Sequence, residues 1–188
     1  EIFTRNELKG KFDVGDVNNL PYDSGSFDLV FSIGLLEHFE NIETPLREQV
    51  RILDKGGLFI GYVVPKYENN IQSGFEWINE ILRGYLKEDA LDQCEKEQVF
   101  RSDLDSSHYL PVLEKLGLSD VQTSGVYPLP MISHSTEFPF TLMSPESESS
   151  LVRQLEIMLK QNAEKSGRHQ WLCEEGIGQA FLIWGFKR

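Results

Sequence analysis

The chain has 188 residues, 40% of them hydrophobic and 26% charged, which suits one globular domain with a single sizeable core. Its formal net charge of −12 repels phosphate backbones, so no nucleic-acid partner is expected and the acid excess reads as a solvated surface. The longest clean apolar run, residues 27–36, is too short to cross a bilayer and no secretory signal opens the chain, so no membrane partner is expected.

The two cysteines, Cys94 and Cys173, show neither metal-ligand spacing nor a disulfide framework, and reduced thiols in a cytoplasmic protein are the default. No internal repeat appears.

In chain order, residues 11–16 form a short strand candidate. Residues 18–26 are a turn-rich loop with Pro21, Asp23, Ser24 and Gly25. Residues 27–34 (FDLVFSIG) are nearly all apolar, as in a strand buried on both faces of a parallel sheet. A helix is predicted over 44–56. Thr44 is its N-cap, Pro45 sits at the first helical position, and Leu46, Val50 and Leu53 form the core stripe. Gly56 and Gly57 supply the stop, and residues 58–64 form a second buried strand closed by Pro65. Strand, capped helix and strand make a βαβ unit with parallel strands.

Residues 67–101 carry a helical pattern through Trp77, Ile78, Ile81, Leu82, Tyr85 and Leu86, with a charged stretch at 87–98. A further helix is expected at 107–117, with Leu110, Leu113 and Leu116 inward and Pro111 in or near its first turn. Residues 119–127 read as a strand. Residues 128–145 are irregular, with Met131 and Met143 among the prolines. Ser144 and Pro145 then open a helix striped by Leu151, Leu155, Met158 and Leu159 and ended by Gly167. The final strand, 179–187, is expected to pair with 119–127 as an antiparallel edge.

The chemistry-bearing stretch is GDVNNLPYDSGSFDLVFSIGLLEHF, from Gly15 to Phe39, followed by RILDKGGLFIGYVVP, from Arg51 to Pro65. An acidic residue, Leu-Pro, Phe-Asp opening a strand, Leu-Glu-His, and Arg-x-Leu-x-x-Gly-Gly occur in that order. In this the chain resembles the class I S-adenosylmethionine-dependent methyltransferases, especially the broad small-molecule group called methyltransferase type 11. The resemblance covers residues 10–65 closely and the final strand loosely. It implies an α/β, Rossmann-like methyltransferase sheet with helices on both faces and an antiparallel final strand. It also implies S-adenosylmethionine as cofactor and a small-molecule methyl acceptor as partner.

Carried onto this chain, the resemblance implies that Asp16, at a strand tip where open α/β sheets bind ligands, accepts a hydrogen bond from the exocyclic amine of adenine. The backbone N–H of Val17 then meets a ring nitrogen, and Leu20 touches the adenine. Ser32, Ile33 and Gly34 contact the methionine end of the cofactor or the acceptor, with Gly34 allowing close backbone approach. Asp28 reads as a turn or cap, and Glu37 as solvated or a cap. His38 either orients the acceptor and takes its proton, or is hydrogen-bonded structurally at a helix start. Methyl transfer itself needs chiefly in-line positioning and desolvation. Besides His38, Tyr67 and His134 are candidate bases, and the aromatic segments 75–85 and 127–140 are candidate lids.

The chain also departs from the family. No strand with a Gly-rich turn, and no acidic residue ending a following strand, precedes Asp16. Chain 1–188 therefore reads as one partial domain lacking the first two strands, with helical insertions at about 67–101 and 129–177. In the family order 3-2-1-4-5-7-6 that leaves a gap of roughly 10 Å beside the fourth strand. About 60–80 upstream residues would fill it; a homodimer or rearranged strands are the other routes. Alone, the chain is expected to bind the cofactor poorly. Two further readings stand beside the enzyme: a non-catalytic methyltransferase-like interaction module, and another nucleotide-binding α/β protein, against whose NTPase form the missing Gly-x-x-x-x-Gly-Lys loop counts.

Overall fold

The structure, a computed structural model, describes residues 6–66, 100–126, 145–176, 178 and 180–188. The elements are β1 (Phe27–Ile33), a 3-10 turn (Leu36–His38), α1 (Glu43–Ile52), β2 (Leu53–Val63), α2 (Ser106–Lys115), β3 (Leu118–Val126), α3 (Pro145–Ser166), β4 (Leu172–Cys173) and β5 (Ala180–Lys187). They build one five-stranded mixed sheet in the order β1-β2-β5-β3-β4.

The βαβ unit is present. β1 pairs with β2 in parallel, from Leu29 opposite Leu58 to Ile33 opposite Tyr62, with α1 between them in sequence. The ladder is irregular at its start: it jumps from Phe27 opposite Leu53 to Leu29 opposite Leu58, and the extra residues of β2 between them include Gly56 at φ +73. At Gly57 a Cβ would lie 2.8 Å from Leu53 Cδ1 and 2.9 Å from the Asp28 carbonyl oxygen, so no side chain fits there.

α1 starts one residue earlier than its expected cap. The Glu43 N–H is held by Asn41 Oδ1 at 3.0 Å, so Thr44 is not the cap. The helix also stops at Ile52, before Gly56. Its last carbonyls are bound from β5: Lys187 Nζ lies 2.9 Å from the Val50 oxygen, 3.2 Å from that of Arg51 and 2.6 Å from that of Leu53. A cation at a helix C-terminus both donates to orphan carbonyls and complements the dipole.

Three expectations need correction. The 11–16 strand does not form; only an isolated bridge joins Asp16 to Asn19. Among the described residues no strand lies beside it to complete a ladder, and Phe12 and Val14 stand 74% and 104% exposed. The final strand is not an edge: β5 lies inside the sheet, antiparallel to both β2 and β3. And β1 is buried on one face only, its exposure alternating along Phe27–Ile33 as on a one-sided strand.

α2 is capped by Asp105, whose side chain accepts the Ser107 N–H at 3.0 Å. Pro111 falls in its second turn, on the exposed side. α3 ends as expected, Gly167 taking φ +68 and donating its N–H to Ala163 O at 2.8 Å. Its stripe is narrower than expected: Leu159 is buried, but Met158 is 47% exposed. The side chains of Leu151 and Leu155 lie outside the described residues, as do residues 67–99 of the helical pattern expected over 67–101 and both aromatic lid segments. No helix among the described residues is long and apolar enough to cross a membrane.

One hydrophobic cluster holds these elements together. Leu46, Val50 and Ile52 of α1 and Tyr109 and Leu113 of α2 pack on Val30, Phe59, Val63, Phe181 and Ile183 of the sheet. Burying such a side chain contributes roughly 1.5–3 kcal/mol. Tyr109 and Phe181 meet edge to face, with ring centroids 5.7 Å apart.

Candidate functional site

The 16–20 loop is a self-closed turn. Asn19 donates its N–H to the Asp16 carbonyl at 3.0 Å, and the Asn18 N–H and Nδ2 reach Asp16 Oδ1 at 2.9 and 3.0 Å. The other carboxylate oxygen of Asp16 takes no hydrogen bond among the described residues, and the residue is exposed. Val17 is half-buried. Leu20 is half-buried too and packs against the core cluster.

The tip of β1 turns its residues apart. Ser32 faces the covered side of the sheet, 7% exposed, with no partner for its hydroxyl. Ile33 faces the other side and is 66% exposed. Gly34 takes φ +59, a conformation that favours glycine, and donates its N–H to Tyr62 O at 3.0 Å. No hydrogen bond joins the 16–20 loop to residues 32–38 among the described residues.

Beyond Gly34 the 3-10 turn presents His38. Its Nδ1 lies 2.6 Å from the Phe100 carbonyl oxygen. A carbonyl only accepts, so Nδ1 is the donor, which leaves Nε2 as the ring nitrogen that can accept a proton. Nε2 stands 4.0 Å from Glu37 Oε1.

Glu37 corrects the reading of a solvated or capping residue: it is 1% exposed, and its Oε2 has no hydrogen-bond partner among the described residues. The hydroxyls of Ser102 and Tyr109 are buried as well, and neither makes a well-formed hydrogen bond among the described residues. Burial pushes the Tyr109 hydroxyl up to about 12; the Ser102 hydroxyl opposes this and the nearby Glu37 charge adds to it. The backbone ties this cluster together, with Ser102 N–H donating to Glu37 O and Lys66 N–H to Ser102 O, both at 2.8 Å. Beside it opens a cleft of about 580 Å³ lined by Glu40, Lys66, Phe100, Arg101, Ser102, Asp103 and Leu104. No periodicity marks a buried glutamate, so sequence reasoning missed it. Tyr67 and His134 lie outside the described residues.

Residues 3–61, which include Asp16, the β1 tip and His38, match the family model for a methyltransferase domain. The chain is 46% identical over 54 residues to ajmaline N-methyltransferase of Rauvolfia serpentina, a match covering 29% of this chain and 19% of that protein. It is 48% identical over 50 residues to norajmaline N-methyltransferase of the same plant, covering 27% and 17%. The matched part thus spans less than a fifth of either curated relative. In fold it is similar to a chain in the complex between the Haloferax volcanii Trm112 methyltransferase activator and a methyltransferase. There the TM-score is 0.51 at 22% identity, over 97% of this chain and 64% of that one.

The β1-α1-β2 unit, the antiparallel β5 beside β2 and the matched segment define a Rossmann-like methyltransferase fold. Over residues 3–61 the chain is similar to methyltransferase domains.

Proposed function

We propose that the protein transfers a methyl group from S-adenosylmethionine to the nitrogen of a small amine. The observation that supports this reading is the position of the match: the 3–61 segment contains the acidic loop, the β1 tip and His38. The N-methyltransferase relatives support nitrogen as the accepting atom.

The residues present fit the nucleoside end of the cofactor. Asp16 keeps one carboxylate oxygen uncommitted on an exposed turn, the donor-free acceptor that an exocyclic amine requires. Val17 N–H and the Leu20 side chain would complete that contact, and Ser32, Ile33 and Gly34 would border the reacting end. Bound there, the cofactor supplies an electrophilic methyl group. The chain's own work is positioning and proton removal. A secondary amine bearing the new methyl sheds one proton, and His38 Nε2 is the lone pair set to accept it. The cleft beside Phe100 and Ser102 is the place for the acceptor.

The test is calorimetry with S-adenosylhomocysteine on the full-length protein, followed by label transfer from S-adenosylmethionine to a panel of secondary amines. Asp16→Ala should weaken cofactor binding by about 10–100-fold, the worth of one hydrogen bond to a charged group. His38→Gln should lower kcat and leave that binding intact. Absence of both binding and transfer in the unaltered protein overturns the proposal.

A further inference from the structure

The Arg-x-Leu-x-x-Gly-Gly stretch opens with Arg51, which the proposed reaction does not use, yet its guanidinium is committed to the cofactor loop. Arg51 Nε lies 2.8 Å from Glu48 Oε1 and Nη2 lies 2.8 Å from Oε2, a forked pair on one face of α1. The same Nη2 donates to the Leu20 carbonyl at 3.0 Å, and Nη1 donates to the Tyr22 carbonyl at 2.8 Å. Glu48 Oε2 in turn accepts the Leu20 N–H at 3.0 Å. Both backbone polar groups of Leu20 are therefore held by one ion pair.

The grip extends in both directions. Downstream, Gly25 N–H donates to Arg51 O at 3.0 Å and Ser26 N–H to Ile52 O at 2.7 Å, where the loop enters β1. Upstream, Pro21 packs on Gly15, where a Cβ would lie only 3.2 Å from Pro21 Cδ. Asp16 follows immediately, closed onto Asn18 and Asn19. A single guanidinium thus fixes the path from α1 through Leu20 and Pro21 to the carboxylate proposed to meet adenine. The Arg51 side chain is 31% exposed and that of Glu48 only 15%, so water competes weakly for these bonds.

We propose that Arg51, forked on Glu48, is a positioning residue for the nucleoside: it presets the 16–20 loop so that binding need not order it. This rests on the nucleoside site proposed above. A lysine cannot replace the fork, because one ammonium cannot serve the carboxylate and two carbonyls in that plane. Loss of preorganisation weakens binding without altering chemistry in the bound complex.

The experiment uses the full-length protein and S-adenosylhomocysteine as probe. Arg51→Ala should weaken its affinity by about tenfold and raise KM for S-adenosylmethionine similarly, with kcat within about twofold. Hydrogen exchange at the Leu20 amide should accelerate. Arg51→Lys, which keeps the charge if the alanine variant fails to fold, should lose affinity in the same sense. Val50→Ala in the same helix serves as control: it should lower Tm while leaving affinity unchanged. If Asp16→Ala weakens binding but Arg51→Ala and Arg51→Lys leave it within twofold, the clamp is overturned and the site stands. If Val50→Ala costs the same affinity, the effect is general destabilisation and the clamp is overturned. No binding by the unaltered protein overturns the site and the clamp together.

Discussion

On one face of the sheet, Val30, Phe59, Val63, Phe181 and Ile183 lie at 8% exposure or less beneath α1 and α2. On the other face, Leu29, Phe31, Ile33 and Phe186 keep 49%, 62%, 66% and 43% of their surface. Along β1 the two sets alternate residue by residue, so one strand of uniform apolar composition meets two different surroundings. Apolar composition records that a surface calls for a cover; the packing partner is written elsewhere in the chain. Leu29, Phe31, Ile33, Ile60, Tyr62 and Leu182 line a shallow groove of about 360 Å³ on the exposed side.

The contrast predicts unequal costs. Phe181→Ala, on the covered face, should lose about 3–5 kcal/mol in chemical denaturation, because its cavity cannot collapse between sheet and helix. Phe31→Ala, two strands away on the other face, should lose less than about 1 kcal/mol. Equal losses would erase the distinction between the faces.

The covered face should also be sensitive to alkali. The Tyr109 hydroxyl sits in the folded protein at about 12 against an ordinary 10.0. A raised folded value means that its contribution is whole below pH 10 and is lost as pH rises towards 12. Denaturation midpoints should therefore fall across that window by about 2–3 kcal/mol, from 1.36 kcal/mol per pH unit. Tyr109→Phe should remove this part of the fall. The buried Cys173 thiol, pushed up to about 11, adds a loss in the same direction that starts lower, near pH 9.

A smaller effect is expected at the start of the covering helix. Asp105→Ala removes the cap of α2 and should lose about 1 kcal/mol. The Ser107 hydroxyl, then the Ser107 N–H and His108, hold the Asp105 carboxyl below its ordinary 3.8. Its contribution is thus present at neutral pH and lost as pH falls below that value.

Much of the fold was legible in the sequence because the β1-α1-β2 unit is local. Its helix stripe of Leu46 and Val50 lies close in sequence to both strands, although Gly56 and Gly57, expected to stop the helix, fall inside β2. The interior place of β5 was not legible as such, since strand order depends on pairings more than a hundred residues apart, such as Phe186 with Leu58. The 11–16 segment carried a strand pattern but has no ladder to join among the described residues. At the candidate site, Asp16, Gly34 and His38 are nominated by a shared motif. Glu37 and the Arg51–Glu48 fork were not legible, because burial and hydrogen bonding of a polar side chain leave no periodic trace.

The most direct measurement is a crystal structure of the full-length protein with S-adenosylhomocysteine bound. The adenine should lie against Asp16 and Leu20, its exocyclic amine donating to the free oxygen of the Asp16 carboxylate, with the homocysteine end running towards Gly34. A nucleoside seated on any other surface, with Asp16 still facing water, would contradict the site described above.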